Sequence, residues 1–216
     1  MKYRALLFDL DGTLTDSGEG ITKSVQYALE KLGKPEPDLQ KLRIFVGPPL
    51  MEQFMSYASL TEAEGRQAVA YYRERYTPVG LYENKVYDGV PEMLRELKDR
   101  GYLLAVASSK PTVFVRKVLE HFDLLSCFDV VIGSEVDGRR TEKVEVIEAA
   151  LEELGMQDRR DEVMMIGDRM HDVEGARKAS LSCLAVSYGY GSMEELTAAG
   201  PAAIAASPAE VAAFFA

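Results

Sequence analysis

Short apolar runs alternate with helical patterns along most of this chain, and that alternation restricts the fold more than any other feature. The runs fall at residues 4–8, 102–107, 128–132, 163–166 and 182–186, and each is followed by Gly, Ser or Asp. Helical patterns at 90–100, 112–121, 142–154 and 172–180 separate most of them. Strands that are apolar on both faces and alternate with helices predict an α/β fold, a parallel sheet covered on both sides.

One stretch breaks the alternation. Between residues 17 and 85 there are only helical patterns, such as 21–32 and 62–76, with breaker clusters at Gly33–Pro37 and Gly47–Pro49. This reads as a helical insertion after the first strand, leaving residues 1–16 and 86–216 to form the sheet-containing core. The Ala-rich tail suggests a last strand at 201–205 and a last helix at 208–215. Ligands of open parallel sheets sit outside the C-terminal strand ends. Asp9, Asp11, Ser108, Ser109 and Asp168 should therefore converge.

The formal charge is −10, which argues against a nucleic-acid partner, since such proteins present a basic face. An anionic ligand would then need local positive charge, supplied by a metal and a few placed cations. No run of about 18 apolar residues is present, so no membrane span is expected. The N-terminus has Lys2 and Arg4 before a short apolar run that ends in Asp9 and Asp11, unlike a secretory signal. Cys127 and Cys183 lack metal-type spacing and read as packing residues of a reduced compartment. A cytoplasmic protein is the expectation.

The strongest local signal is Phe8-Asp9-Leu10-Asp11-Gly12-Thr13-Leu14-Thr15-Asp16. Two carboxylates two residues apart at a strand end can face one pocket if the chain turns, and Gly12 permits the turn. A Ca²⁺ loop of the EF-hand type needs Gly at its sixth position and Glu at its twelfth. Counted from Asp9, those positions hold Leu14 and Gly20, so that reading fails.

With three further motifs, this segment makes the chain resemble the haloacid dehalogenase (HAD) superfamily, in its phosphatase branch with a helical cap after the first strand. The further motifs are Val106-Ala107-Ser108-Ser109-Lys110-Pro111, the segment around Lys143, and Ile166-Gly167-Asp168-Arg169-Met170-His171-Asp172. The resemblance implies a Rossmann-like parallel sheet core with an inserted α-helical cap. It makes Asp9 the nucleophile and Asp11 the general acid/base. True dehalogenases lack the second Asp, so its presence argues against that reaction. Ser108 and Ser109 would hold a phosphate oxygen. Mg²⁺ would be bound by Asp9, Asp168 and Asp172, with the backbone carbonyl of Asp11. Lys143 best matches the third motif, though no Pro follows it and the spacing to Leu154 is short, so Arg140 is the alternative. His171 and His121 are assigned no catalytic role.

Like charges about 3.5 Å apart repel by about 5 kcal/mol at an effective dielectric of roughly 20, so a carboxylate attacking a phosphate dianion needs compensating cations. Within the insertion, Arg43, Phe45 and Gly47 form the segment expected to meet the substrate, either Arg43 reading a carboxylate or Phe45 stacking a base. A helix-to-helix turn with a core Phe is the rival reading there. The resemblance is greatest to phosphoglycolate phosphatases and 5′-nucleotidase-like members, so small phosphorylated metabolites are the expected partners. A β-phosphoglucomutase-like isomerase and a non-catalytic regulator on the same fold are the alternatives. The intact carboxylates favour an enzyme, and no GxxxxGK[ST] loop supports a nucleotide-driven kinase.

Overall fold

The computed structural model describes residues 2–216. By internal contacts the chain divides into two compact units, one comprising the segment up to Thr15 with Val86–Ala216, the other Asp16–Lys85.

The larger unit is built on the strands β1 (Ala5–Phe8), β4 (Leu103–Pro111), β5 (Val130–Ser134), β6 (Val163–Gly167), β7 (Ser182–Val186) and β8 (Ala203–Ala205). They form one sheet in the order β5-β4-β1-β6-β7-β8. All its pairings are parallel. Two further strands, β2 (Thr15–Asp16) and β3 (Lys85–Val86), pair as the chain leaves for the smaller unit and returns. The alternation of apolar runs and helices thus produces the expected α/β sheet.

Helices α4 (Val90–Asp99), α5 (Thr112–His121), α6 (Lys143–Leu154), α7 (Met170–Lys178), α8 (Met193–Ala199) and α9 (Pro208–Phe214) follow the strands. Ile147, Ala150 and Leu151 of α6 and Val173 and Ala176 of α7 cluster with Leu7, Ala105, Ala107 and Met165 of the sheet. Full burial of each Leu or Ile stabilises by about 1.5–3 kcal/mol, so this layer fixes both helices on the sheet. Their N-termini are fixed too: Glu142 and Glu145 form a reciprocal capping pair, and the Asp172 carboxylate accepts from the Arg169 amide.

Register is what assembles the site. Phe8 of β1 lies beside Val106 of β4 and Ile166 of β6. Asp9, the Ala107–Ser108 step and Gly167–Asp168 therefore follow at one edge of the sheet. β4 differs from the sequence expectation by running on through Ser108-Ser109-Lys110 to Pro111. Its register with β5 shifts between Ala107 and Pro111, so the polar stretch is a bulged extension with no apolar pattern to announce it.

The smaller unit contains α1 (Gly18–Lys31), α2 (Leu50–Ala58) and α3 (Glu62–Arg75). Phe45, Phe54, Tyr72 and Tyr76 lie in its core. Gly20 and Gly80 touch so closely that a Cβ on Gly20 would lie 1.9 Å from the Gly80 carbonyl oxygen. Arg75 pairs with Glu83 at 2.8 Å across the same region.

Candidate active site

After β1 the chain turns at once. The amides of Thr13, Leu14 and Thr15 all donate to the Leu10 carbonyl, and Gly12 N–H donates to Thr15 O. Gly12 has φ +88°, and a Cβ there would lie 2.1 Å from Asp168 Oδ2. The position accepts glycine alone, for backbone conformation and for space.

Three buried carboxylates meet here. Asp9, Asp168 and Asp172 each offer an oxygen within 4.8 Å of the others. Lys143 stands among them, its Nζ 2.8 Å from Asp9 Oδ1, 2.7 Å from Asp172 Oδ1 and 3.1 Å from the Ala107 carbonyl. Its stem reaches the site by passing over Gly175, where a Cβ would be 2.5 Å from Lys143 Cγ. Gly167 makes similar room for Asp172. Asp172 Oδ2 accepts from the Arg169 amide at 3.0 Å. Its Oδ1 is buried and ion-paired with Lys143 but has no hydrogen bond of good geometry.

The electrostatics of this cluster are unbalanced: three carboxylates face one ammonium. Burial, then the charges of Asp172 and Asp9, push the Asp168 carboxyl well above its ordinary range. Burial likewise raises Asp9, with Lys143 opposing and Asp172 reinforcing the shift. Burial pulls the Lys143 ammonium down, but Asp172 and Asp9 together outweigh it and hold the charge. Crowded oxygen donors with too little positive charge are what a small divalent cation requires.

The other expected residues are placed as follows. Ser108 is buried, its hydroxyl accepts from the Lys110 amide at 3.4 Å, and its presence beside Asp9 favours that carboxylate's ionised form. The Ser109 carbonyl accepts from Ser134 Oγ at 2.7 Å, which ties the β4 extension to β5. Asp11 stands outside the three-carboxylate group and pairs through Oδ1 with Lys110 Nζ at 2.6 Å. Arg140 donates from Nε to the Gly133 carbonyl at 2.9 Å and pairs with Glu135, bracing the loop after β5. His121 and His171 are exposed.

In the smaller unit, Arg43 is exposed and donates to Gln40, and Gly47 has φ +105°. Phe45 requires a correction. It is 1% exposed, with Phe54 at 4.9 Å and Tyr57 at 5.4 Å between ring centroids, so its ring is a packing element and cannot stack a base.

Sequence reasoning missed Lys110, the connection at 187–192 and Glu195. Tyr190 N–H donates to Asp168 Oδ2 at 2.8 Å, Tyr188 donates to the Thr13 carbonyl at 3.0 Å, and Glu195 accepts from Met170 N–H at 2.9 Å. The Tyr-Gly-Tyr-Gly run of 188–191 was the available signal.

Comparison with known proteins decides the family. The model for haloacid dehalogenase-like hydrolases matches residues 6–186. The chain belongs to that family. A protein of Pseudomonas aeruginosa named 5′-nucleotidase is 50% identical over 201 residues, covering 93% of this chain and 90% of its own. A Mycobacterium tuberculosis protein named tyrosine-protein kinase PtkA is 39% identical over 186 residues, 86% of this chain and 62% of that one. A phosphoglycolate phosphatase of Colwellia psychrerythraea is 28% identical over 204 residues, 91% of this chain and 89% of that protein. The crystal structure of a predicted phosphatase from Clostridium acetobutylicum superposes with TM-score 0.96 and 48% identity, covering 100% of this chain and 99% of that one. Within the family, this HAD member is an enzyme, a phosphoric monoester hydrolase. No helix among the described residues is long and apolar enough to cross a membrane.

Proposed function

We propose that this HAD phosphatase hydrolyses small phosphate monoesters through a phospho-aspartate on Asp9, with Mg²⁺ as cofactor and nucleoside 5′-monophosphates as the leading substrates. The observation that carries the chemistry is the buried group of Asp9, Asp168 and Asp172 around Lys143. Asp168, Asp172 and Asp9 would hold the cation with the Asp11 carbonyl. When bound, the ion supplies charge neutralisation on the phosphoryl oxygens.

The chain's own residues account for the rest. Lys143 keeps Asp9 oriented and offsets charge as Asp9 attacks phosphorus. The ester P–O bond breaks, and the leaving oxygen takes a proton from Asp11. Asp11 then accepts a proton from water, whose oxygen attacks phosphorus and frees Asp9 and inorganic phosphate. Ser108 is placed to hold a phosphoryl oxygen beside Asp9. Lys110 pairs with the Asp11 carboxylate at 2.6 Å and holds it apart from the metal carboxylates, ready for the base step; the acid step requires that pair to open and Asp11 to take up a proton first.

The substrate choice rests on the 50% likeness to the 5′-nucleotidase, with phosphoglycolate the second candidate. A panel of phosphorylated metabolites ranked by kcat/KM in Mg²⁺ buffer tests it. Nucleoside 5′-monophosphates at the head of the ranking support the proposal. A lead of tenfold or more for phosphoglycolate would displace it. The likeness to PtkA gives the panel a further arm, phosphoryl transfer to a tyrosine peptide; if transfer exceeds release to water, the hydrolase proposal is wrong.

Metal dependence is a separate expected result. Chelation should silence the enzyme and Mg²⁺ restore it, whereas Ca²⁺ should restore little, because its larger and looser coordination disturbs in-line geometry. Undiminished turnover in chelator would rule the cofactor out.

A further inference from the structure

We infer that the connection between β7 and α8, Ser187–Ser192, acts together with Glu195 as a clasp that positions Asp168 for a divalent cation. This rests on the metal reading above and assigns the task of holding that ligand to residues outside the four motifs.

The sheet brings the clasp to its target. Ala185 of β7 is in register with Gly167 of β6, so the connection leaves the sheet directly beside Asp168. It then grips the 168–170 segment at both ends. Near its middle, Tyr190 N–H donates to Asp168 Oδ2 at 2.8 Å. Beyond it, Glu195 Oε1 accepts from the Met170 amide at 2.9 Å and from Arg169 Nε at 2.8 Å. Ser192 caps α8 by accepting from the Glu195 amide at 3.0 Å, which fixes the helix that carries this carboxylate. The nucleophile loop is held as well, through the Tyr188 hydroxyl on the Thr13 carbonyl. The Tyr188 ring packs edge-on against Tyr87 at 5.1 Å.

Two glycines allow this approach. A Cβ on Gly191 would lie 2.1 Å from the Asp168 carbonyl oxygen. One on Gly189 would lie 2.3 Å from Gly12 O and 2.4 Å from Asp168 Cβ. Neither glycine is among those with positive φ, so the reason for glycine here is contact with the metal segment rather than backbone handedness. Asp168 itself is fully buried and crowded by Asp9 and Asp172, and its carboxylate accepts from the Tyr190 amide at 2.8 Å and, more weakly, from the Thr13 hydroxyl at 3.3 Å. Partners of this kind typically change metal affinity by about 10–100-fold when lost.

The test is Mg²⁺ binding to the chelator-treated full chain, followed by calorimetry without substrate. Wild type should bind and Asp168→Asn should not; absence of wild-type binding would refute the metal reading itself. Given wild-type binding, Gly191→Ala and Glu195→Ala should raise Kd by at least about tenfold. Their kcat should return toward wild type at saturating Mg²⁺. Val211→Ala, a remote core truncation in α9, should lower Tm while leaving Kd within about twofold, separating positioning from general destabilisation. If Gly191→Ala does not fold, Glu195→Ala decides alone. Wild-type Kd in the clasp variants that fold would overturn the inference.

Discussion

Asp9→Asn should reduce turnover by at least about 10⁴-fold, the scale on which enzymes lose rate when a covalent nucleophile is removed. The substitution keeps the shape of the side chain and its place at the end of β1. It also removes one of three crowded buried charges, leaving Lys143 paired with Asp172 at 2.7 Å. Since burial already makes the ionised Asp9 costly, the variant should melt no lower than wild type. Loss of activity in a folded protein isolates chemistry from stability. Retention of a tenth or more of wild-type turnover, with contaminating phosphatase excluded, would remove Asp9 from the mechanism.

Replacing Lys143 by Met should cost the next largest amount, about 10²–10³-fold in kcat, as when a transition-state charge donor is lost. Two buried carboxylates lose their shared partner, so a drop in Tm is expected as well; breaking a buried pair costs about 3–5 kcal/mol. Lys143→Arg should not restore the rate. The stem is threaded over Gly175, and a planar fork cannot point at Asp9, Asp172 and the Ala107 carbonyl as an ammonium does. Arg140→Ala should be mild by comparison, because Arg140 is engaged with Gly133 and Glu135. A larger loss in the Arg140 variant would transfer the role of third-motif cation to it.

The parts of the fold that repeat a simple pattern could be read from the chain. Buried parallel strands are apolar on both faces, so β1, β6 and β7 stand out as unbroken runs, and the meeting of the carboxylates that follow β1 and β6 comes from topology. What the pattern could not reveal was polar structure. β4 extends through Ser108-Ser109-Lys110 because a bulge changes its pairing with β5, and no hydrophobic period marks such a segment. The Lys110–Asp11 pair and the Glu195 contacts join residues 99 and 25 positions apart, which only the folded register brings together. Phe45 failed for the opposite reason. An aromatic beside Gly-Pro-Pro looks equally suited to a binding turn and a core, and the neighbouring Phe54 and Tyr57 make it core.

The most direct test of the central claim is chemical trapping of the intermediate. Wild-type enzyme turning over substrate in Mg²⁺ would be quenched in acid, reduced with borohydride and mapped by mass spectrometry. An acyl phosphate on Asp9 predicts conversion of residue 9, and of no other carboxylate, to homoserine, with none in Asp9→Asn. Turnover without any trapped residue, or trapping at a different side chain, would contradict the account.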